Sequence, residues 1–298
     1  DSFSFNVSDG AATSSAATVS ITITAVNDVP TATAQSVSTN EDASVSVTLS
    51  GSDVEGSSLT YALASTPSHG SASLSGSTVT YTPTANYNGS DSFTFTVSDG
   101  TATSSAATVS ITVTAVNDTP TATAQSVSTN EDAAKTITLA GSDPDGDSLT
   151  YALASNPSHG SASLSGSTVT YTPTANYNGS DSFTFTVSDG TATSSAATVS
   201  ITVTAVNDAP TATAQSVSTN EDAAETITLA GSDPDGDSLT YALASNPSHG
   251  SASLSGSTVT YTPTANYNGS DSFTFTVSDG TATSSAATVS ITVTAVND

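Results

Sequence analysis

The chain has 298 residues, with one basic side chain, Lys135, against 27 Asp and Glu, and a formal net charge of −26. So small a supply of Lys and Arg excludes nucleic acid and anionic membrane surfaces as partners, because both are held by basic side chains. There is no Cys, so no disulfide adds to stability, and no apolar run approaches the roughly 20 residues that insert across a membrane.

Self-similarity organises the rest. The string Ala-Val-Asn-Asp recurs at 25–28, 115–118, 205–208 and 295–298, a period of 90 residues. Residues 1–28 match 91–118, so the chain opens late in a repeat. That piece supplies only a hairpin, which is marginal in water, and a longer parent protein is expected. Full repeats are expected at 29–118, 119–208 and 209–298. The last two differ only at Thr119/Ala209 and Lys135/Glu225, while the first drifts further, with Val54-Glu55 where the next has Pro144-Asp145.

Within a repeat the apolar period is two. In the first full repeat, strands are predicted near 33–38, 44–50, 59–65, 70–75, 77–82, 91–98 and 105–115. Phe93, Phe95 and Val97 share one face of theirs, as do Val109, Ile111 and Val113, with Thr and Ser on the other. Apolar residues inward and hydroxyls outward mark a half-buried antiparallel strand. Ser75-Gly76, Asn88-Gly89 and Asp99-Gly100 read as turns between the strands. No segment has a helical period. Seven strands in about 90–100 residues is the size of an immunoglobulin-like β-sandwich, so an all-β chain of tandem sandwiches is expected.

The acidic residues are clustered in loops. In 119–208 they are Glu131-Asp132, then Asp143, Asp145 and Asp147, then Asp181, Asp189 and Asp208. Carboxylates gathered in this way call for a hard divalent cation, and calcium takes six to eight oxygens from Asp, Glu, Asn and carbonyl groups. Asp143-Pro144-Asp145-Gly146-Asp147 opens like an EF-hand loop, but Ser148 stands where that loop needs Gly and Ala154 where it needs Glu, which excludes an EF-hand. His69, His159 and His249 each lie in Pro-Ser-His-Gly with no second His or Cys nearby, so they read as turn residues rather than zinc ligands.

Four motifs in order, Asn130-Glu131-Asp132, Gly141-Ser142-Asp143-Pro144-Asp145-Gly146-Asp147, Val187-Ser188-Asp189-Gly190 and Ala205-Val206-Asn207-Asp208-Ala209-Pro210, resemble the succession of calcium-binding motifs in cadherin repeats. The chain is most similar to the bacterial cadherin-like tandem repeats of large surface adhesins, many of them exported by type I secretion. The resemblance implies ligand sets at the linkers. At 118/119 these are Glu41, Asn117, Asp118, Asp143, Asp145 and Asp189. At 208/209 they are Glu131, Asn207, Asp208, Asp233, Asp235 and Asp279. At 28/29 the visible half is Asn27, Asp28, Asp53, Glu55 and Asp99. Two departures stand out: Ala-Asn-Tyr-Asn-Gly-Ser-Asp occupies the region of the cadherin Leu-Asp-Arg-Glu motif, which leaves Asp91, Asp181 and Asp271 as further ligand candidates, and the early motif reads Asn-Glu-Asp rather than Pro-Glu-Asn.

The resemblance further implies an extracellular, bacterial cell-surface location and calcium as the cofactor, bound between neighbouring repeats of the same chain. The function expected is a calcium-stiffened spacer that projects an adhesive module. Two alternatives stay open: repeats that bind glycans or partner chains directly, and a self-assembling filament or surface-layer subunit in which like chains pair. A site copied every 90 residues with no unique insertion is a poor enzyme, so no catalysis is expected.

Overall fold

In the computed structural model, which describes residues 1–297, there is no helix among the described residues. The chain divides into two compact units, Asp1–Asp118 with Pro144–Gly146, and Thr119–Asp143 with Asp147–Asp298.

In the second unit, the repeat from Thr119 shows how the sequence makes the sandwich. Alternation along Ala197–Thr204 buries every second residue, and the same pattern runs down Gly179–Ser188. These two strands pair antiparallel with Phe183 opposite Val199 and Asp181 opposite Ile201. Thr150–Ser155 adds antiparallel on one side, and Gln125–Asn130 adds parallel on the other. The facing sheet is antiparallel, Lys135–Thr138, Thr168–Pro173 and Gly160–Ser165 in that order. Between them Phe183, Phe185, Val169 and Tyr171 are wholly buried, and each such side chain contributes roughly 1.5–3 kcal/mol relative to exposure. The outward positions of both sheets pair hydroxyl with hydroxyl, as at Ser182/Ser200 and Ser163/Thr170. The third repeat copies this plan, and in the first unit residues 31–114 form the same two sheets.

The seven expected strands are present, with two refinements. The first is split: Thr121–Thr123 pairs with a short added strand, Ala140–Ser142, before Gln125–Asn130 crosses to the other sheet. The turn predicted at Asn88-Gly89 lies two residues earlier. Asn86 takes a left-handed φ of 57° and the Tyr87 amide donates to the Thr84 carbonyl at 3.1 Å, so Gly89 already belongs to its strand. Asn tolerates that conformation without glycine, which hid the turn. Residues 1–28 form a hairpin, Ser2–Phe5 with Ala17–Ser20, whose Phe3 and Phe5 are exposed.

A buried carboxylate fastens the end of each sandwich. Asp181 Oδ1 accepts from the amides of Ser158 and Ser182 at 2.9 and 2.8 Å, and Oδ2 from the His159 amide at 3.0 Å and the Tyr171 hydroxyl at 2.9 Å. Asp91 and Asp271 make the same four contacts in their repeats. Both oxygens of each of these carboxylates are thus engaged by donors of their own repeat. The His side chain also has a structural contact: His159 stacks on Tyr177 with centroids 4.1 Å apart and planes 6° from parallel.

The turn at Pro157-Ser158-His159-Gly160 tolerates no larger residue at its end. A Cβ on Gly160 would sit 2.6 Å from the Thr172 carbonyl oxygen and 2.7 Å from Tyr171 Cε2. Gly160→Ala should therefore cost about 2 kcal/mol through overpacking, measured as a lowered thermal midpoint of that repeat. An unchanged midpoint would show that the ring and strand yield freely.

Candidate metal centre

The junction at 208/209 lies wholly within the second unit. Glu131 follows Asn130 at the end of its strand, and its amide donates to the Thr204 carbonyl at 3.0 Å. This fixes the side chain beneath the linker, where Oε1 accepts from the Val206 amide at 2.6 Å. Glu131 is 4% exposed, an unusual depth for a carboxylate without a basic partner. Glu221, at the same position in the last repeat, makes the matching bond to Val296 at 2.7 Å but is only half-buried.

From the following repeat, Asp233 Oδ1 caps its own loop by accepting from the Asp235 and Asp237 amides at 2.9 and 3.2 Å, an Asx turn. Asp235 Oδ2 accepts from the Asp208 amide at 2.8 Å. One carboxylate oxygen from each of Asp233, Asp235 and Asp237 lies within 4.8 Å of the others. The Asn207 side-chain amide ties the linker down, donating to Asp279 Oδ2 at 2.9 Å and to the Asp208 carbonyl at 2.9 Å. The second oxygen of Asp279 accepts from the Thr281 and Ala282 amides. The Ala282 amide first, and then the Asn207 side chain, hold its carboxyl below its ordinary value.

Two oxygens at this junction have no donor. Asp208 Oδ2 and Asp233 Oδ2 are shut off from solvent with no hydrogen-bond partner. Burial, and then the charges of Asp132, Asp235, Glu131 and Asp233, push the Asp208 carboxyl above its ordinary value. Buried charge without a donor or a counter-charge is costly, and the one basic residue, Lys135, is on a strand paired with Tyr171. An oxygen-rich, anionic, partly dehydrated pole of this composition fits calcium.

The other junctions repeat the parts. In the first unit, the Val116 amide donates to Glu41 Oε1 at 2.6 Å; Glu41 is 4% exposed and its Oε2 is buried with no partner. In the same unit the Asn117 side chain donates to the Asp118 carbonyl at 2.9 Å, and the Asp118 amide to Asp145 Oδ2 at 2.8 Å. In the second unit Asp143 Oδ1 accepts from the Asp147 amide at 3.2 Å, and Asp189 Oδ1 from the Thr191 and Ala192 amides at 2.6 Å each. At 28/29 the Asn27 side chain donates to Asp99 Oδ2 at 2.9 Å and the Asp28 amide to Glu55 Oε2 at 3.2 Å, while Asp53 Oδ2 is buried without a partner.

The motif Asn130-Glu131-Asp132 does not by itself single out Asp132, yet Asp132 leads the charges acting on Asp208. It sits at φ 58° and accepts from the Asn176 amide at 3.1 Å. An Asp directly after a buried Glu, in a left-handed turn, is a signal that periodicity does not read.

A family model described as "Bacterial Ig domain" matches residues 27–112, 117–202 and 207–292. No curated protein matches the chain. Among solved structures, the protocadherin gamma B4 extracellular domain is 17% identical with a TM-score of 0.61, over 93% of this chain and 52% of its own. Protocadherin gamma B2 cadherin domains 1–5 are 18% identical with a TM-score of 0.61, over 95% of this chain and 63% of theirs. Protocadherin gamma B7 domains 1–4 are 17% identical with a TM-score of 0.54, over 90% and 77%. The chain thus spans about half the length of the first of these, and at such identities the likeness is one of fold.

Proposed function

The chain belongs to the bacterial Ig domain family, and from that premise we propose that its repeats are a calcium-stiffened extracellular spacer of a large bacterial surface adhesin, with 29–118, 119–208 and 209–298 as the repeating units. The observation that carries the reading is the set of buried carboxylate oxygens without donors beside the linkers: Glu41 Oε2, Asp53 Oδ2, Asp208 Oδ2 and Asp233 Oδ2.

At 208/209 the ion would be held by Glu131, Asp208, Asp233 and Asp235, with Asp132 and Asp237 beside them. It supplies positive charge that neutralises the pole. The residues themselves do the rest. Glu131 and Asp235 grip the linker amides of Val206 and Asp208, and Asn207 fastens the linker to Asp279. Without a cation these carboxylates repel one another in a partly dehydrated site, which works against the same grip. The reading assigns no catalytic role. It follows that the chain is pliable where calcium is scarce and stiff outside the cell.

Adding millimolar calcium to chelated protein is expected to raise the thermal midpoint, because a ligand bound only by the folded state stabilises it by about 2.7 kcal/mol at a hundredfold excess over its dissociation constant. Scanning calorimetry with calcium and with chelator tests this. Superimposable curves would end the calcium reading.

A further inference from the structure

The linker asparagine uses both hydrogens of its side-chain amide. From Asn207 one goes to the Asp208 carbonyl at 2.9 Å and shapes the linker itself. The other goes to Asp279 Oδ2 at 2.9 Å, in the repeat that follows. Asn27 does the same in the first unit, with the Asp28 carbonyl at 3.0 Å and Asp99 Oδ2 at 2.9 Å. The far partner is itself fixed. Asp99 Oδ1 accepts from the Thr101 and Ala102 amides at 2.6 Å each, and Asp279 Oδ1 from Thr281 and Ala282. The Ala102 amide first, and then the Asn27 side chain, hold the Asp99 carboxyl below its ordinary value, as Ala282 and Asn207 do for Asp279. The acceptor therefore stays charged, and the bond to it is charge-assisted.

Toward the preceding repeat the linker is held differently. There the grip is the Val206 amide on Glu131 Oε1 at 2.6 Å, and the charges of Asp132 and Glu131 oppose that of Asp208. Asp235 and Asp233 oppose it from the following repeat, but on that side two bonds resist them: Asn207 to Asp279, and the Asp208 amide to Asp235 Oδ2 at 2.8 Å.

We propose that Asn207 with Asp279, and Asn27 with Asp99, are latches that bind a linker to the repeat after it without any cation, so that loss of calcium at 208/209 bends the chain on the other side of the linker, at Ala205-Val206. The latch stands on hydrogen bonds alone, while the place of the bend rests on the calcium reading above. Asn207 and Asn27 are positioning residues: an aspartate there would bring no donor, and would set a second charge against Asp279 or Asp99. The piece that swings is a repeat with its incoming linker attached.

The test uses the full chain with calcium as the only probe. The sequence has no Cys, so spin labels attach only where Cys is introduced. One label replaces Val206, whose side chain is 44% exposed. The second replaces Thr170 in the repeat before or Thr260 in the repeat after, both exposed strand positions. In chelator, the Val206–Thr170 pair should give a broad distance distribution and the Val206–Thr260 pair a narrow one. Calcium should narrow the first and leave the second unchanged. Asn207→Asp should lower the closed-to-open ratio of the latch about tenfold and broaden the Val206–Thr260 distribution in chelator. Adding Asp279→Asn puts a donor opposite the new carboxylate and still offers a carbonyl oxygen to the Thr281 and Ala282 amides, so the distribution should narrow again. Three results would each overturn the latch and leave the calcium reading in place: both pairs equally broad in the chelated parent, no broadening with Asn207→Asp, or no narrowing in the double variant. Distributions that calcium leaves unchanged would overturn the calcium reading and the bend placed by it, while broadening by Asn207→Asp with recovery in the double variant would still establish the latch.

Discussion

Asp181→Ala should lower the stability of its repeat by about 3 kcal/mol, enough to shift the midpoint of a sandwich this size by roughly 15 °C. The loss follows from the donors left behind. The amides of Ser158, His159 and Ser182 and the Tyr171 hydroxyl all point at this one carboxylate, and each buried donor without an acceptor costs about 1–3 kcal/mol before relaxation and water entry. Burial pushes the Asp181 carboxyl up, yet the amides of Ser158, Ser182 and His159 and the Tyr171 hydroxyl together hold it below its ordinary value. The sign with pH follows. A carboxylate whose pKa is lower in the folded state stabilises at every pH above its unfolded value of 3.8, and that stability is lost as pH falls below 3.8 through the folded value. The parent should therefore lose stability more steeply than Asp181→Ala on acidification below pH 4. Tyr171→Phe removes one donor and keeps the ring, so it should cost about 1 kcal/mol. Calorimetry of the full chain should show one displaced transition beside unmoved ones. A variant as stable as the parent would mean that water replaces the carboxylate at no cost.

The contrast between Asp181 and Asp208 explains what was legible in the sequence. Strand faces were readable because alternation is local: Phe183, Phe185 and Val187 announce their own side of the sheet. The roles of the acidic residues were not, because an Asp in a loop looks the same whether donors or other acids surround it. Asp181 stands in the strand Gly179–Ser188 at a buried position, and the amides that meet it come from residues 22 and 23 positions away. Asp208 collects its charged neighbours from two loops, Glu131 and Asp132 from one and Asp233 and Asp235 from the other. The motifs that recur in order do name Glu131, Asp233 and Asp235, whose charges act on Asp208. They do not mark Asp132, which sits in a left-handed turn, and nothing local to Asp181 shows that both its oxygens accept hydrogen bonds within the fold. A lone turn signal misleads in the same way: Asn86 and not Asn88 makes the turn, since the Thr84 carbonyl and Tyr87 amide decide where the chain reverses.

The double substitution Asp233→Asn with Asp235→Asn should abolish the calcium response of the 208/209 junction while sparing the fold. The structure supplies the reason for both halves. Asp233 Oδ1 caps its loop through the Asp235 and Asp237 amides, and Asp235 Oδ2 accepts from the Asp208 amide. An Asn carbonyl oxygen accepts those same bonds, so the loop and its hold on the linker survive. The two charges do not, and a hard cation site depends on them. Opposite outcomes are therefore expected in two conditions. In chelator the variant should be at least as stable as the parent, because two like charges have left a crowded, partly buried pole where Asp208 feels Asp235 and Asp233. In millimolar calcium the parent should gain roughly 3 kcal/mol at this junction that the variant does not, and the calcium bound per chain should fall by one junction's share in a calorimetric titration. The peptide spanning Asp208 should stay unprotected in hydrogen exchange at calcium levels that protect the parent. If the variant instead binds as much calcium as the parent, and is less stable than the parent with chelator present, then Asp233 and Asp235 are structural caps like Asp181, and the charge at the poles serves solubility alone.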